Sequence, residues 1–411
     1  MSKRLPRVGV WASHPIQYAA PWFRHLARAV DLEVFYAHRQ SAAGQAGAGF
    51  GVEFEWDVPL LDGYRHRWLH NIARADRVAG FRGCDTPEVA SIVGGGGFDA
   101  FVIFGWNHRS AIQTMRACRR HRVPVLMRGD SQLATPRSTM TRAAKGLVFP
   151  WALERWVDGH LYVGRRNRQY LERYGVPADK LFFVPHAVDT SFFRDEAERA
   201  RQGGRQSGLR ADLGIPAEAF VFLFAGKLID KKRPRDLVEA WRRLRASGAG
   251  DAIHVVFVGD GPWRGGSEAL AAEGATQVHF AGFRNQSELP AVYAACDALV
   301  LPSDARETWG LVVNEAAACG LPSVVSDAAG CSDDLVVPGL TGFSYPVGDV
   351  RALADRMLAV KQLSEHRESD MRAGLRAVTA TYSYETATGG VLQAMERVVH
   401  GRRRSLVAAG D

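Results

Sequence analysis

The chain has 411 residues and a formal net charge of +8, a length beyond what one hydrophobic core usually serves, so two domains are expected. No apolar run reaches the roughly 18–20 residues of a membrane span. The five cysteines, Cys84, Cys118, Cys296, Cys319 and Cys331, form no CxxC pair and no metal-ligand spacing, which speaks against a disulfide framework and for reduced thiols in a cytoplasmic protein.

The N-terminus "MSKRLPRVGVWAS" carries charge, but its apolar run is short and reads as a first strand, so no signal peptide is expected. β-rich runs then recur at helix-length intervals: "RVGVWA", "LEVFYA", "AFVIFGW", "VPVLMRG", "HLYVG" and "LFFVPHAV" in the first half, and "FVFLFAGKL", "IHVVFVGDG", "VHFAGF", "ALVLPS", "PSVVSD" and "GFSYP" in the second. Continuous apolar strands alternating with helices indicate parallel sheets covered on both faces. Because the pattern occurs twice, the expected class is α/β, with two Rossmann-like, doubly wound domains facing each other across a cleft. We place the first at 1–194, a charged, Gly-containing linker at 195–214, and the second at 215–385. Residues 386–411, an amphipathic helix with a basic tail, follow, and packing of this helix back on the first domain is an expectation. Ligands in such sheets bind beyond the carboxyl ends of the strands, so chemistry is sought in the turns that follow them.

Excess positive charge is concentrated in the first half, most densely in 101–175. It reads either as a solvated arginine-rich face or as attraction to an anionic lipid or acceptor. No zinc finger, RNP signature or recognition helix is present, so nucleic acid is not expected as a partner. Within 137–174, arginines alternate with Phe149, Trp151, Trp156 and Tyr170. That composition suits peripheral contact with an anionic membrane at its inner face, although Pro150 interrupts any single long helix.

The second half holds the most informative stretch, "ETWGLVVNEAAACGLP" at 307–322. Glu315 shares a helical stripe with Leu311, Val312 and Cys319, where a carboxylate is costly unless something satisfies it. The helix start at Trp309, Gly310, Leu311 and Val312 offers free backbone N–H groups to an anion. A phosphate there would have Glu307 on one side and Glu315 on the other. Carboxylates accept hydrogen bonds from hydroxyls, so a ligand with a diphosphate between two polyhydroxyl ends fits: a nucleotide-sugar. Upstream, "AGKLIDKKRPRDLVEAW" places Gly226, Lys227, Lys231, Lys232 and Arg233 in a strand-to-helix turn. These lysines are either simply solvated or suited to a diphosphate whose charge grows as it leaves.

The segments "ETWGLVVNEAAACGLPSVVSD", "GKLIDKKRPRDLVEAW", "VGDGP", "GFRNQSELPAVYAACDALVLPS" and "GCSDDLVVPGLTGFSYPVGDVRALA" resemble, in order and spacing, the retaining glycosyltransferases of family 4, with their E-x7-E signature and GT-B architecture. The resemblance is strong over 219–381 and weaker upstream, through "HPIQYAAPWFRHLA" and "VPHAVDTSFF". It implies that Glu315 holds the donor ribose, that Glu307 sits at the transferred sugar, and that Lys227 and Lys232 take the diphosphate. It also implies that the Trp309–Val312 backbone cradles a phosphate and that Phe283 and Arg284 border the base. Three departures stand out. The family usually has Arg where this chain has Lys227, which keeps the charge but loses the bidentate fork. In place of a Gly-Gly turn after the first strand it has "SHPIQY". A histidine common after the fourth strand is replaced by "MRGDSQL". The acceptor side is therefore assigned to His14, Gln17, Trp106, Asn107, His108, Arg128, Asp130 and Ser131.

The resemblance implies sugar transfer from a nucleotide-diphospho-sugar to a glycan, lipid-linked or small-molecule hydroxyl. No D-x-D motif is present, and neither a metal nor a bound cofactor is expected. A GT-B sugar-nucleotide 2-epimerase and a non-catalytic nucleotide-sugar-binding protein are the alternatives. Nucleobase, sugar and acceptor stay open.

Overall fold

A computed structural model describes residues 4–74, 80–149, 155–248, 250, 252–272 and 277–408. Seven strands build the first sheet: β1 (Arg7–Ala12), β2 (Asp31–Tyr36), β3 (Arg65–Trp68), β4 (Ala100–Phe104), β5 (Val125–Gly129), β6 (Gly159–Tyr162) and β7 (Leu181–Phe183). Six build the second: β8 (Phe220–Ala225), β9 (Ile253–Val258), β10 (Val278–Gly282), β11 (Ala298–Leu301), β12 (Ser323–Ser326) and β13 (Gly342–Tyr345). The orders are β3-β2-β1-β4-β5-β6-β7 and β10-β9-β8-β11-β12-β13. All strand pairs are parallel. In each sheet the order reverses beside the first strand, opening a crevice at β1/β4 and at β8/β11.

Strand alternation explains why both faces are covered. Val8, Val10 and Ala12 point into one core, while Trp11, between them, points into the opposite one. In the second sheet Val221, Leu223 and Ala225 face one layer, and Phe222 and Phe224 face the other. The helix Tyr384–Ala408 returns to the first sheet and buries Ala387, Val391, Ala394, Met395 and Val398 in its core.

Three details differ from the sequence reading. β3 was not expected. It is a short edge strand whose "RHRW" is mostly exposed, so no apolar run marks it. Consequently "MRGDSQL" spans the end of the fifth strand, β5, and the loop after it, not the region after the fourth. The span 195–214, read as a charged linker, is mostly helical, within Thr190–Gln202 and Arg205–Asp212. Phe193, Ala197 and Ala200, at helical spacing, pack into the second sheet's core, and Arg210 donates to Asp297 at 2.8 Å. Of the basic–aromatic stretch, Phe149 and Tyr170 are core residues, and Trp156 is half-buried beside Arg116. Pro150 and Trp151 lie outside the described residues.

Candidate active site

The carboxyl ends of β8, β9 and β11 place the donor-side residues together. Gly226 leaves β8 with φ +145°, and a Cβ built there would lie 3.8 Å from Lys232 Cε. The backbone then turns through Asp230–Lys232. Lys232 Nζ lies 2.6 Å from Glu307 Oε2 and Lys231 Nζ lies 3.6 Å from it. Burial raises the Glu307 carboxyl, but Lys232 and Lys231 outweigh it and hold it below the usual carboxylate range. Burial, with Lys231 and Lys232 nearby, brings Lys227 down to about 8. Its ammonium donates to Ala48 O at 2.7 Å and sits 3.9 Å from the Phe50 ring centre.

The helix bearing Glu315 begins at Val312, two residues later than its sequence pattern suggests, and runs to Ala318. Gly310 causes the delay: it holds φ +111°, and a Cβ there would lie 2.6 Å from Leu301 Cδ2. Trp309 is buried rather than displayed, its Nε1 donating to Asn314 Oδ1 at 2.8 Å.

Glu315 is completely buried. Its Oε2 accepts from Tyr293 Oη at 2.6 Å, while Oε1 accepts no hydrogen bond among the described residues. Burial pushes the carboxyl up to about 7, against the opposing influence of the nearby Tyr293, Tyr18 and Gln286 side chains and the charge of Lys232. Phe283 and Arg284 follow β10, with Arg284 paired to Glu288 at 3.2 Å.

The facing N-terminal surface holds a cavity of about 390 Å³. His14, Asn107, Arg128 and Asp130 line it, and so does Leu311 from the opposite domain. Its wall is aromatic, with Trp22, Phe23 and Phe104. Gln17, Trp106, His108 and Ser131 do not line it: His108 is buried against Trp11, and Trp106 packs on Phe149. The Arg128 guanidinium is engaged in structure. It donates to Val184 O and to Pro185 O and lies over Trp22 at 5.0 Å. Burial brings it down to about 10. Burial likewise lowers His14 to about 4, so its imidazole is neutral near pH 7.

Several residues here were not picked out by sequence. Tyr18, Tyr293 and Gln286 reach Glu315. Thr308 donates to Asp130 Oδ2 at 2.7 Å, joining the two domains. Gln132 Nε2 reaches the carbonyls of Ala305, Glu307 and Ala328 at 3.1, 3.0 and 3.3 Å. His186 lies tilted against Trp309, 5.6 Å centre to centre, and burial lowers it well below its ordinary value. Of these, His186 carried a signal, since it stands in "VPHAVDTSFF".

Two facing doubly wound parallel sheets, with charged turns converging between them, define the GT-B class of fold. The family description "Glycosyl transferases group 1" matches residues 206–374, and the chain belongs to this family. It is 32% identical over 277 residues to a 2-deoxystreptamine glucosyltransferase of Streptomyces kanamyceticus, covering 66% of this chain and 68% of that protein. It is 32% identical over 254 residues to a D-inositol 3-phosphate glycosyltransferase of Nocardia farcinica, covering 59% of this chain and 53% of the relative. The chain thus spans about half the length of that relative. Anabaena Alr3699/HepE in complex with UDP superposes with a TM-score of 0.70 at 18% identity, over 95% of this chain and all of that one. Its UDP-glucose complex gives 0.66 at 16%, over 95% and 99%.

Proposed function

We propose that the protein is a retaining, metal-independent glycosyltransferase of the family 4 type that uses a nucleoside-diphospho-sugar donor in the cytoplasm. The observation that carries this reading is Glu315: a buried carboxylate with one unpartnered oxygen, next to a cluster of lysines. Such an oxygen is costly without a donor group, and a ribose hydroxyl is the donor group it lacks. Lys232 and Lys227 take the diphosphate, together with the backbone N–H groups of 309–312, which supply the positive charge a metal would otherwise bring. When Lys232 turns to the phosphate, Glu307 is released to accept from the transferred sugar's hydroxyls. The acceptor hydroxyl attacks the anomeric carbon on the face the leaving group departs from. The new C–O bond forms as the anomeric C–O(phosphate) bond breaks, and a departing phosphate oxygen takes the acceptor's proton.

The acceptor-side cavity supports a compact polyhydroxylated ring, with Trp22, Phe23 and Phe104 against its C–H face and Asp130 and Asn107 on its hydroxyls. Two relatives are named for ring polyols of this kind, inositol 3-phosphate and 2-deoxystreptamine. Exposed Met140 and Leu147 beside Lys145 support a second, lipid-surface reading. Retention on anionic vesicles at low but not high salt tests it.

Purified protein incubated with UDP-, GDP- and ADP-sugars in EDTA is expected to hydrolyse one of them slowly. Donor isomerisation without acceptor would favour the epimerase instead, and a requirement for magnesium would overturn metal independence.

A further inference from the structure

Residues 41–57 belong by sequence to the first domain, between β2 and β3, yet they dock on the donor side of the second. Ser41 caps the short helix Ala42–Gln45 by accepting from Gly44 N. A turn, Ala46–Phe50, follows. Two left-handed glycines allow the close approach: Gly49, at φ +94°, faces Lys227 and Ile229, and Gly51, at φ +76°, faces Asp260 and Gly261. Beyond them the pattern "FGVEFEW" alternates, and its aromatic residues gather on one side. Phe54 lies 4.9 Å from Phe50, 4.9 Å from Trp56 and 4.3 Å from Phe283, centre to centre. The far end is fastened as well: Asn285 Nδ2 donates to Glu55 O at 2.7 Å, and Ser287 N donates to Asp57 Oδ1 at 3.1 Å.

One strap therefore touches the Lys227 turn, the Asp260 turn and the Phe283 turn in succession. We infer that this strap is the second wall of the donor site, contributed by the acceptor domain: Ala48 and Phe50 position Lys227 for the diphosphate, while Phe54 and Trp56 close the base end over Phe283. The inference rests on the donor reading above. An ammonium has three N–H donors. The Ala48 carbonyl takes one and the Phe50 ring faces the charge, leaving capacity for a phosphate oxygen. At the base end, aromatic side chains offer stacking that any nucleobase can use.

The two ends of the strap make separate predictions. Wild type is first titrated calorimetrically with UDP, GDP and ADP, and the tightest binder is carried forward alongside inorganic pyrophosphate. Phe54→Ala and Trp56→Ala are expected to weaken the nucleotide about tenfold, as loss of an aromatic contact does, and to leave pyrophosphate affinity unchanged. Phe50→Ala is expected to weaken both ligands. In unmodified protein, the nucleotide should also slow amide exchange across 46–57. Strap variants that bind nucleotide like wild type, or exchange that the nucleotide does not alter, would overturn the strap and leave the donor site standing. A wild type that binds none of the nucleotides would remove both readings.

Discussion

Glu315 enters the folded protein with a carboxyl near 7, above an ordinary value of 4.5, because burial disfavours its charge. Between those two pH values the folded state keeps a proton that the unfolded chain has released. Stability contributed by this group therefore falls as pH rises through that window, and is level on either side. Asp297 and Asp334 are raised by burial too, so the comparison must be made between variants. Glu315→Gln is expected to flatten part of the decline in unfolding free energy from about pH 4.5 to 7, followed by denaturant titration. An unchanged slope would mean that Glu315 is ionised throughout. Glu307 has the opposite sign: its lysine pairing stabilises the fold above the unfolded carboxylate range and is lost as pH falls through its lowered value. The misfit of Glu315 on an apolar stripe was legible in the sequence. Its partners were not, because Tyr18 and Tyr293 lie hundreds of residues apart along the chain and at opposite sides of the cleft.

The turn between β11 and the helix Val312–Ala318 is the element that sets this geometry. Gly310 permits the left-handed step, and a side chain there meets Leu301. Gly310→Ala is expected to destabilise the protein by about 1–3 kcal/mol, the usual cost of such backbone strain, and to weaken donor binding because the step orients both Glu307 and the helix. Thermal unfolding with and without nucleotide measures both effects. A variant of wild-type stability and affinity would show that the turn tolerates a Cβ. Apolar runs revealed twelve of the thirteen strands among the described residues, since buried parallel strands write themselves as continuous hydrophobic stretches. β3 escaped because an edge strand needs only one apolar face. The strap escaped because its contacts are with another domain, although its alternating aromatics are visible in "FGVEFEW".

At the scale of the whole molecule, the cleft is made by groups that no local pattern announces. Arg166 pairs bidentately with Asp333 at 2.7 and 2.8 Å. Asp334 accepts from Arg165 N and from Tyr382 Oη. Gln132 and Thr308 close the inner edge. These contacts bring Asp130 and its cavity to the same turn that carries Glu307, so the two sides of the cleft share one loop. The charged turns of the second domain were readable because they sit at strand ends in a fixed order. On the N-terminal side, of the residues singled out by sequence, His14, Asn107, Arg128 and Asp130 line the cavity, while His108 and Trp106 turn into packing. The most direct test of the whole account is calorimetric titration of a nucleoside diphosphate into wild type and Glu315→Ala. The account predicts binding to wild type and at least a tenfold loss in the variant, in line with about 1.5–3 kcal/mol for a hydrogen bond to a charged group. Equal affinity in the two proteins would contradict it.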